Sequence, residues 1–319
     1  MINGNSVIAQ LGEETTYGTG VTPTEQLKIS SESLKPVYNK IDEGLATGGR
    51  GSGLQATMGI GVEGSMSTLF RADMGYLLKG VLGVEESDNV DGSTVAFKHT
   101  YTCIASGEEY HLPSFSAVVD RKVGKFKYTG LKFNNLTLSA ASGDYLKCDF
   151  DLVGKNEETN ATVPTLSPSA LKAFKFAQGK VYNGDTEIAD VTSMSVAIAN
   201  NLDYQTQTTA TGDYYKEPEA GTRNITCELE AIYAAGVEAL RNTYYKSDAT
   251  LSVKLEFISD EEADTDIPYS LTITLPCCQM SDASANMGGM DTLKQTMSLN
   301  VVDNLTDELI VAELVNKTE

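Results

Sequence analysis

One strand–helix pattern occurs twice along the chain, and this repetition constrains the fold more than any other feature. Alignment of Val62 with Ile225 also places Leu77 on Leu240. The matched elements keep the same order in both halves, although loop lengths differ between them. The sequence therefore predicts an internal duplication in a chain of 319 residues. This length is sufficient for two domains that each bury a core.

The join between the two copies lies in a stretch without hydrophobic periodicity. Residues 155–170 are rich in Glu, Asn, Thr, Ser and Pro, which is typical of a linker. We therefore expect four segments along the chain. They are an N-terminal arm (1–26), a first domain (27–158), a second domain (159–302) and a C-terminal arm (303–319).

Apolar and polar residues alternate over most of both copies. In the first half, Phe150 and Leu152 alternate with Asp149 and Asp151. A period of two indicates strands that bury one face and expose the other. Two segments have helical spacing instead, one in each half. They are 73–82 and 237–245. The pattern predicts a mainly β protein with one short α-helix in each half.

Two long polar segments occupy equivalent places in the copies. The first, Asp42–Gly61, contains seven glycines, and the second, Asp203–Asn224, is rich in Thr, Tyr and Gln. Connections of this length are usually functional or disordered. The run Gly48–Gly53 does not match a phosphate-binding loop, because no helix and no Lys-Ser or Lys-Thr pair follows it. Because glycines are entropically costly to order, we expect the first loop to be mobile until a partner binds it.

Charge and cysteine content exclude several classes of protein. The formal net charge of −20 excludes a conventional nucleic-acid-binding protein, which needs a basic surface. Five irregularly spaced cysteines do not form a disulfide framework, so we expect buried, reduced thiols. No basic segment followed by an apolar run opens the chain, and we expect no signal peptide. No apolar stretch is long enough to predict a membrane span.

Residues that could carry chemistry form no catalytic pattern. His99 and His111 have no cysteines or carboxylates at ligand spacing, and we expect ordinary surface or half-buried histidines. No Gly-x-Ser-x-Gly motif is present. Two pairs of strand carboxylates fit Ca²⁺ binding or acid–base chemistry, but such pairs are usually the wet face of an amphipathic strand. They are Asp149 with Asp151 and Glu228 with Glu230. We therefore expect no enzymatic activity, no cofactor and no metal.

Five segments together resemble the major tail tube proteins of long-tailed bacteriophages. Each is a pattern of small and β-branched residues, and together they cover most of the chain. The segments are 27–36, 61–65 with the helix at 74–82, 130–139, 191–201 and 221–226. The resemblance implies a β-sandwich of two antiparallel sheets with one flanking helix, present twice in tandem.

The resemblance also implies an assembly. Related single-domain tube proteins form rings of six, so a fused pair would build a similar ring from three chains. Such rings would stack into a hollow tube through which DNA passes without specific binding. The implied partners are further copies of the chain, a tape measure protein, and tail terminator and distal tail proteins. The implied location is the virion tail, assembled in the cytoplasm of the bacterial host.

Two groups of residues are candidate functional surfaces in such a tube. We hypothesise that the glycine-rich loop contacts the next ring and that strand carboxylates face the lumen, where negative charge would not hold DNA. The loop residues are Gly44, Gly48, Gly49, Arg50, Gly51 and Gly53. The carboxylates are Glu63, Asp149, Asp151, Glu228 and Glu230. Strand alternation alone leaves open whether their face lines the bore or the exterior.

Two other functions stay open on the sequence. The tube subunit of a contractile injection or secretion system shares the implied fold. A surface adhesin or capsid-decorating β-sandwich is a second alternative, although it would more often carry a signal peptide or an isolated immunoglobulin-like unit.

Overall fold

A computed structural model describes residues 3–44, 51, 53–104, 111–205, 213–247, 249–286 and 290–317. Within these ranges the chain is mainly antiparallel β-structure with two short α-helices, which confirms the predicted fold class. The strands of the first half are β1 (Ile8–Glu13), β2 (Glu25–Leu27), β3 (Ile29–Glu32), β4 (Lys35–Asp42), β5 (Gln55–Leu69), β6 (Gly83–Asn89), β7 (Phe97–Cys103), β8 (Phe115–Asp120), β9 (Lys125–Ala141), β10 (Lys147–Gly154) and β11 (Asn156–Thr159). Those of the second half are β12 (Gly179–Asn183), β13 (Thr186–Glu187), β14 (Val191–Ala199), β15 (Asn224–Ile232), β16 (Thr250–Asp264), β17 (Ile267–Ser284), β18 (Lys294–Val301) and β19 (Val311–Asn316).

One sheet runs through both halves, and we call it the shared sheet. Its strand order is β3/β4, β5, β10, β9, β14, β15, β18 and the C-terminal part of β17. The first four strands come from the first half and the last four from the second. The two sets have the same order of equivalent strands, so the junction between β9 and β14 joins one copy to the next.

Each half adds a second sheet. The first-half sheet has the order β2, β1, β8, β9 and β11. The second-half sheet has the order β13, β12, β16, β17, β19, β7 and β6. The long strands β9 and β17 each enter two sheets, as expected of strands that turn the corner of a sandwich.

Irregularities in strand pairing repeat between the halves. The pairing of β3 with β5 shifts within Ile29–Ser31, and that of β14 with β15 shifts within Val191–Ser193. A second shift lies at Asp151–Leu152 between β10 and β9, and its counterpart lies at Met280–Asp282 between β17 and β18. Bulges are conserved features of related β-structures. Their recurrence at equivalent places supports the internal duplication in three dimensions.

The segments predicted as terminal arms contribute paired strands. β1 lies between β2 and β8, and β19 lies between β17 of the second half and β7 of the first. Two sheets therefore cross the predicted boundary between 27–158 and 159–302. The division into these domains stays a prediction.

Both predicted helices are present. α1 (Gly75–Leu82) is largely buried, and α2 (Ala235–Leu240) continues into a π-helical turn at Arg241–Tyr245. A Cβ atom at Gly75 would lie 2.0 Å from the Tyr101 hydroxyl, so a side chain would not fit at the start of α1. Neither helix within the described part of the chain has the length and apolarity needed to cross a membrane.

The C-terminal end of α1 is capped by the second half of the chain. The Asn200 side chain donates a hydrogen bond to the carbonyl oxygen of Val81 at 3.0 Å. Arg223 donates to the carbonyl oxygen of Leu82 at 3.4 Å. These carbonyls have no partner within the helix, and a cation is favourable at this end of the helix dipole. The two halves therefore satisfy each other's backbone groups.

The first long loop is shorter than predicted. Gln55–Gly61 was expected to be part of it, but these residues begin β5 and pair with β4 as far as Asp42. The glycines at alternate positions hid the strand pattern, because they supply no apolar side chain to mark a buried face. β4 and β5 thus form a β-hairpin whose last described pair is Asp42 with Gln55. We call β4 together with residues 54–61 the long hairpin.

All five cysteines are buried and free, as predicted. Burial raises the pKa of the Cys148 and Cys227 thiols well above the ordinary range. Both thiols are therefore held in the neutral, weakly reactive form.

The aromatic core of the first half gives a direct test of the sandwich. The Phe150 ring is 1% exposed and lies 5.3 Å from the Phe133 ring, measured between centroids. We expect Phe150→Ala to lower the free energy of unfolding by about 3–5 kcal/mol, because it leaves a cavity between the sheets. Urea unfolding measures the change. The exposed neighbour provides the control, and Asp149→Ala should stay within about 0.5 kcal/mol. Equal effects of both substitutions would contradict the assigned faces.

Candidate assembly and lumen surfaces

The carboxylates predicted to share a strand face lie on the polar face of the shared sheet. Asp149 pairs with Ser67 on one side and Thr137 on the other, and Glu228 pairs with Ser195 and Ser298. Directly paired residues project on the same side of a sheet. The pairing through β9 and β14 is continuous, so carboxylates from both halves face the same way. The set comprises Glu63, Asp149, Asp151, Glu228 and Glu230.

Lysines already neutralise part of this face. Lys294 contacts Glu230 at 2.6 Å, and Lys35 contacts Glu63 at 3.3 Å. Hydrogen bonds from Lys294 and Thr192 lower the pKa of Glu230. The remaining negative charge of the set lies on Asp149, Asp151 and Glu228. Lys147 also lies on this face, opposite Ser139, and pairs with Asp144. The rest of the face is mostly Ser, Thr, Asn and Ala.

The long hairpin exposes apolar side chains. Tyr38, Ile41, Leu54 and Met58 are each at least half exposed. Several apolar side chains on one exposed element indicate a contact surface. The sequence pattern did not identify these four residues, because it marked the segment only as polar and glycine-rich. Of the predicted loop residues, Gly44, Gly51 and Gly53 lie in the hairpin turn, whereas Gly48, Gly49 and Arg50 lie outside the described residues.

The second long segment lies against the base of this hairpin. We call residues 200–205 and 213–223 the strap. The backbone N–H of Ile60 donates to the carbonyl of Asp213 at 2.7 Å, and the N–H of Tyr215 donates to the carbonyl of Ile60 at 3.0 Å. The Tyr215 ring packs where Gly59 and Gly61 leave room. The two segments were predicted only to occupy equivalent places, and their contact was not foreseen.

An ion pair between a buried lysine and a partly exposed carboxylate holds the strap farther along. Lys132 of β9 is 1% exposed, and its ammonium group donates to Glu217 at 2.6 Å. The same ammonium lies 5.6 Å from the centre of the Tyr17 ring. Burial and the nearby carboxylates of Glu217 and Glu14 raise the pKa of Tyr17, so the phenol stays neutral. The Glu217 carboxylate and the Tyr17 ring therefore both stabilise the positive charge of Lys132.

Two edges of the shared sheet have no partner strand within the described residues. One is the outer edge of β3/β4, and the other is the side of β17 at 280–284 that faces away from β18. Their repeat counterparts are β14 and the C-terminal part of β9, which pair with each other inside the chain. Within the described part of the chain, the two outer strands of the shared sheet therefore have unpaired edges, and the equivalents of these two edges pair with each other in the middle of the sheet.

One histidine differs from the prediction. His99 is 4% exposed and not half-buried. Its Nδ1 atom lies 3.1 Å from Glu85 Oε1, and its Nε2 atom lies 3.1 Å from Asn316 Oδ1. A hydrogen bond from His99 is the main cause that lowers the pKa of Glu85. The cluster ties β19 to the first half. His111 is exposed, with Glu217 at 3.7 Å.

Among the residues that the structure describes, no group of three or more His, Cys, Asp or Glu side chains is placed to hold a metal ion.

The described residues thus present a polar sheet face, two unpaired sheet edges and a projecting hairpin. Features of this kind suit a structural protein that assembles through its sheet edges. The family model for phage tail tube proteins matches residues 4–301. The chain belongs to this family, which confirms the resemblance seen in the sequence. The family is structural and forms a component of the virion tail that assembles into a tube. A search of curated proteins finds no match.

Proposed function

We propose that three copies of the chain close into a ring of six similar domains, and that rings stack into the tube that carries phage DNA. The junction between β9 and β14 is the single observation that carries this proposal. It joins the end of one repeat to the start of the next by antiparallel pairing. The same contact between β17 of one copy and β3/β4 of the next would continue the sheet around the ring.

The long hairpin is the element proposed to contact the next ring. It leaves the shared sheet at β5 and exposes four large apolar side chains. Burial of such residues between rings would stabilise the stack by the hydrophobic effect. The glycine-rich turn would become ordered in that contact.

The polar face of the shared sheet is proposed to line the bore. Its lysines Lys35, Lys147 and Lys294 each contact a carboxylate, which reduces their attraction for phosphates. The proposed partners are a tape measure protein inside the tube and terminator and distal tail proteins at its ends. Assembly would take place in the host cytoplasm. The family match favours a phage tail over a secretion machine or a decorating protein.

The number of chains in a ring is measurable. We expect electron micrographs of assembled tubes to show rings of three chains with six similar densities around a hollow bore. Native mass spectrometry of ring fragments should give multiples of three times the 34.2 kDa chain. Rings of six chains would refute the proposed pseudo-hexamer.

The hairpin turn is testable by deletion. We expect removal of Gly48–Gly53 to leave a folded subunit that does not form tubes, because the turn lies at the proposed contact between rings. Circular dichroism checks the fold, and sedimentation with electron microscopy checks assembly. A matched control is Gly184→Ala in the turn between β12 and β13, where a Cβ would meet nothing within 4 Å although the positive φ costs some local stability. Normal tubes from the deletion would exclude the turn from stacking.

The charge of the bore is testable by substitution. We expect virions that carry Asp149→Lys, Asp151→Lys and Glu228→Lys to keep their tails but eject DNA slowly at low ionic strength. High salt should restore ejection, because phosphate contacts weaken steeply with salt. The control variant makes the same charge change at three exposed positions near β6, namely Glu86, Asp88 and Asp91. Unchanged ejection with intact tails would place these carboxylates on the exterior.

A further inference from the structure

The strap crosses from the second half of the chain to the base of the long hairpin in the first. Its N-terminal end is fixed by Asn134. The N–H of Asn200 donates to the Asn134 carbonyl at 2.8 Å, and the N–H of Leu202 donates to the Asn134 side-chain oxygen at 2.8 Å. Asn134 is the extra residue at the bulge in β9. The bulge therefore makes the carbonyl and the side chain of Asn134 available to bind the start of the strap.

A small apolar cluster separate from the main core holds the middle of the strap. Leu202 packs with Leu112 and Val153 of the first half, and all three are buried. Tyr204 and Ala220 of the strap pack around them. Val153 projects on the polar face of the shared sheet, so the strap covers the end of that face nearest the hairpin.

Burial of the Lys132 ammonium group is costly unless a partner compensates for its lost hydration. A lysine that is 1% exposed loses the hydration of its ammonium group. One hydrogen-bonded carboxylate compensates for that loss only if the geometry of the hydrogen bond is good. Glu217 provides that carboxylate from the strap at 2.6 Å. If the strap moved away, Lys132 would be left without it. Loss of this partner would destabilise the buried ammonium group, so the pair opposes strap opening.

Tyr215 transmits this constraint to the hairpin. Its side chain is 5% exposed and fills the space beside two glycines of β5. A Cβ atom at Gly59 would lie 2.4 Å from the Tyr215 ring, and one at Gly61 would lie 2.9 Å from it. Two backbone hydrogen bonds between Ile60 and the strap run beside this contact. The hairpin is thus braced on one side where it leaves the sheet.

We propose that Tyr215 and Glu217 are positioning residues, and that the strap of the second half fixes the direction of the first-half hairpin for contact with another copy. This inference rests on the stacking role proposed for the hairpin. A hairpin that is held in its bound direction loses less conformational entropy on association. The strap would therefore determine how readily rings stack without itself contacting the next ring.

Hydrogen exchange on the full-length free subunit tests the brace directly. We expect Gly59→Ala and Glu217→Gln to increase exchange of backbone amides in 35–42 and 55–61 by about tenfold, because local opening becomes easier. Thermal unfolding of the remaining sheets should stay close to wild type. Two controls lie away from the Tyr215 and Glu217 contacts. Gly236→Ala adds a Cβ that meets nothing within 4 Å, and Glu219→Gln changes an exposed carboxylate of the strap.

The outcomes separate this inference from the stacking proposal. Unchanged exchange in both test variants would overturn the brace, whatever happens to assembly. Faster exchange together with slower tube formation would support both proposals. Faster exchange with normal tube formation would confirm the brace but overturn its role in stacking. In that case the turn deletion still decides the stacking proposal on its own.

Discussion

The antiparallel pairing of β9 with β14 is the contact on which the rest of the structure depends. It runs from Ser193 opposite Ala141 to Ala199 opposite Asn135, and it turns two four-stranded units into one sheet. Because side chains alternate along every strand, this register also decides which residues share a face. A slip of one residue would place the apolar residues of β14 on the wet side. The core and the polar face are therefore determined together.

The faces of the strands could be predicted from the sequence, because alternation is a local property. Asp149 and Glu228 were assigned to wet faces from their neighbours alone, and both are exposed. Contacts between distant segments could not be predicted in this way. The contact of Tyr215 with Gly59 joins the strap of the second half to a strand of the first. Lys132 likewise has no sequence signal for burial, since its partner lies 85 residues away.

The two halves have diverged where their surroundings differ. The first half carries a long projecting hairpin, whereas the equivalent segment of the second half folds back as the strap. Among the described residues of the second half, β6 and β7 have no counterpart, and the π-helical turn leads almost directly to β16. They instead extend the second-half sheet through β19. A duplicated chain can specialise its copies, because each copy always has the same neighbour within the chain.

The equivalent strands β3/β4 and β14 show what an edge position requires. β14 is continuous, and its Ile198 pairs with Leu136 of β9. The equivalent residue of Ile198 in the first half is Pro36, which has no N–H to offer a neighbouring strand. The edge is also broken at Ser33–Leu34, and the Leu34 carbonyl accepts hydrogen bonds from Arg121 and Tyr128. Such features protect an edge from indiscriminate pairing. The interior copy needs no such protection, because its partner strand belongs to the same chain.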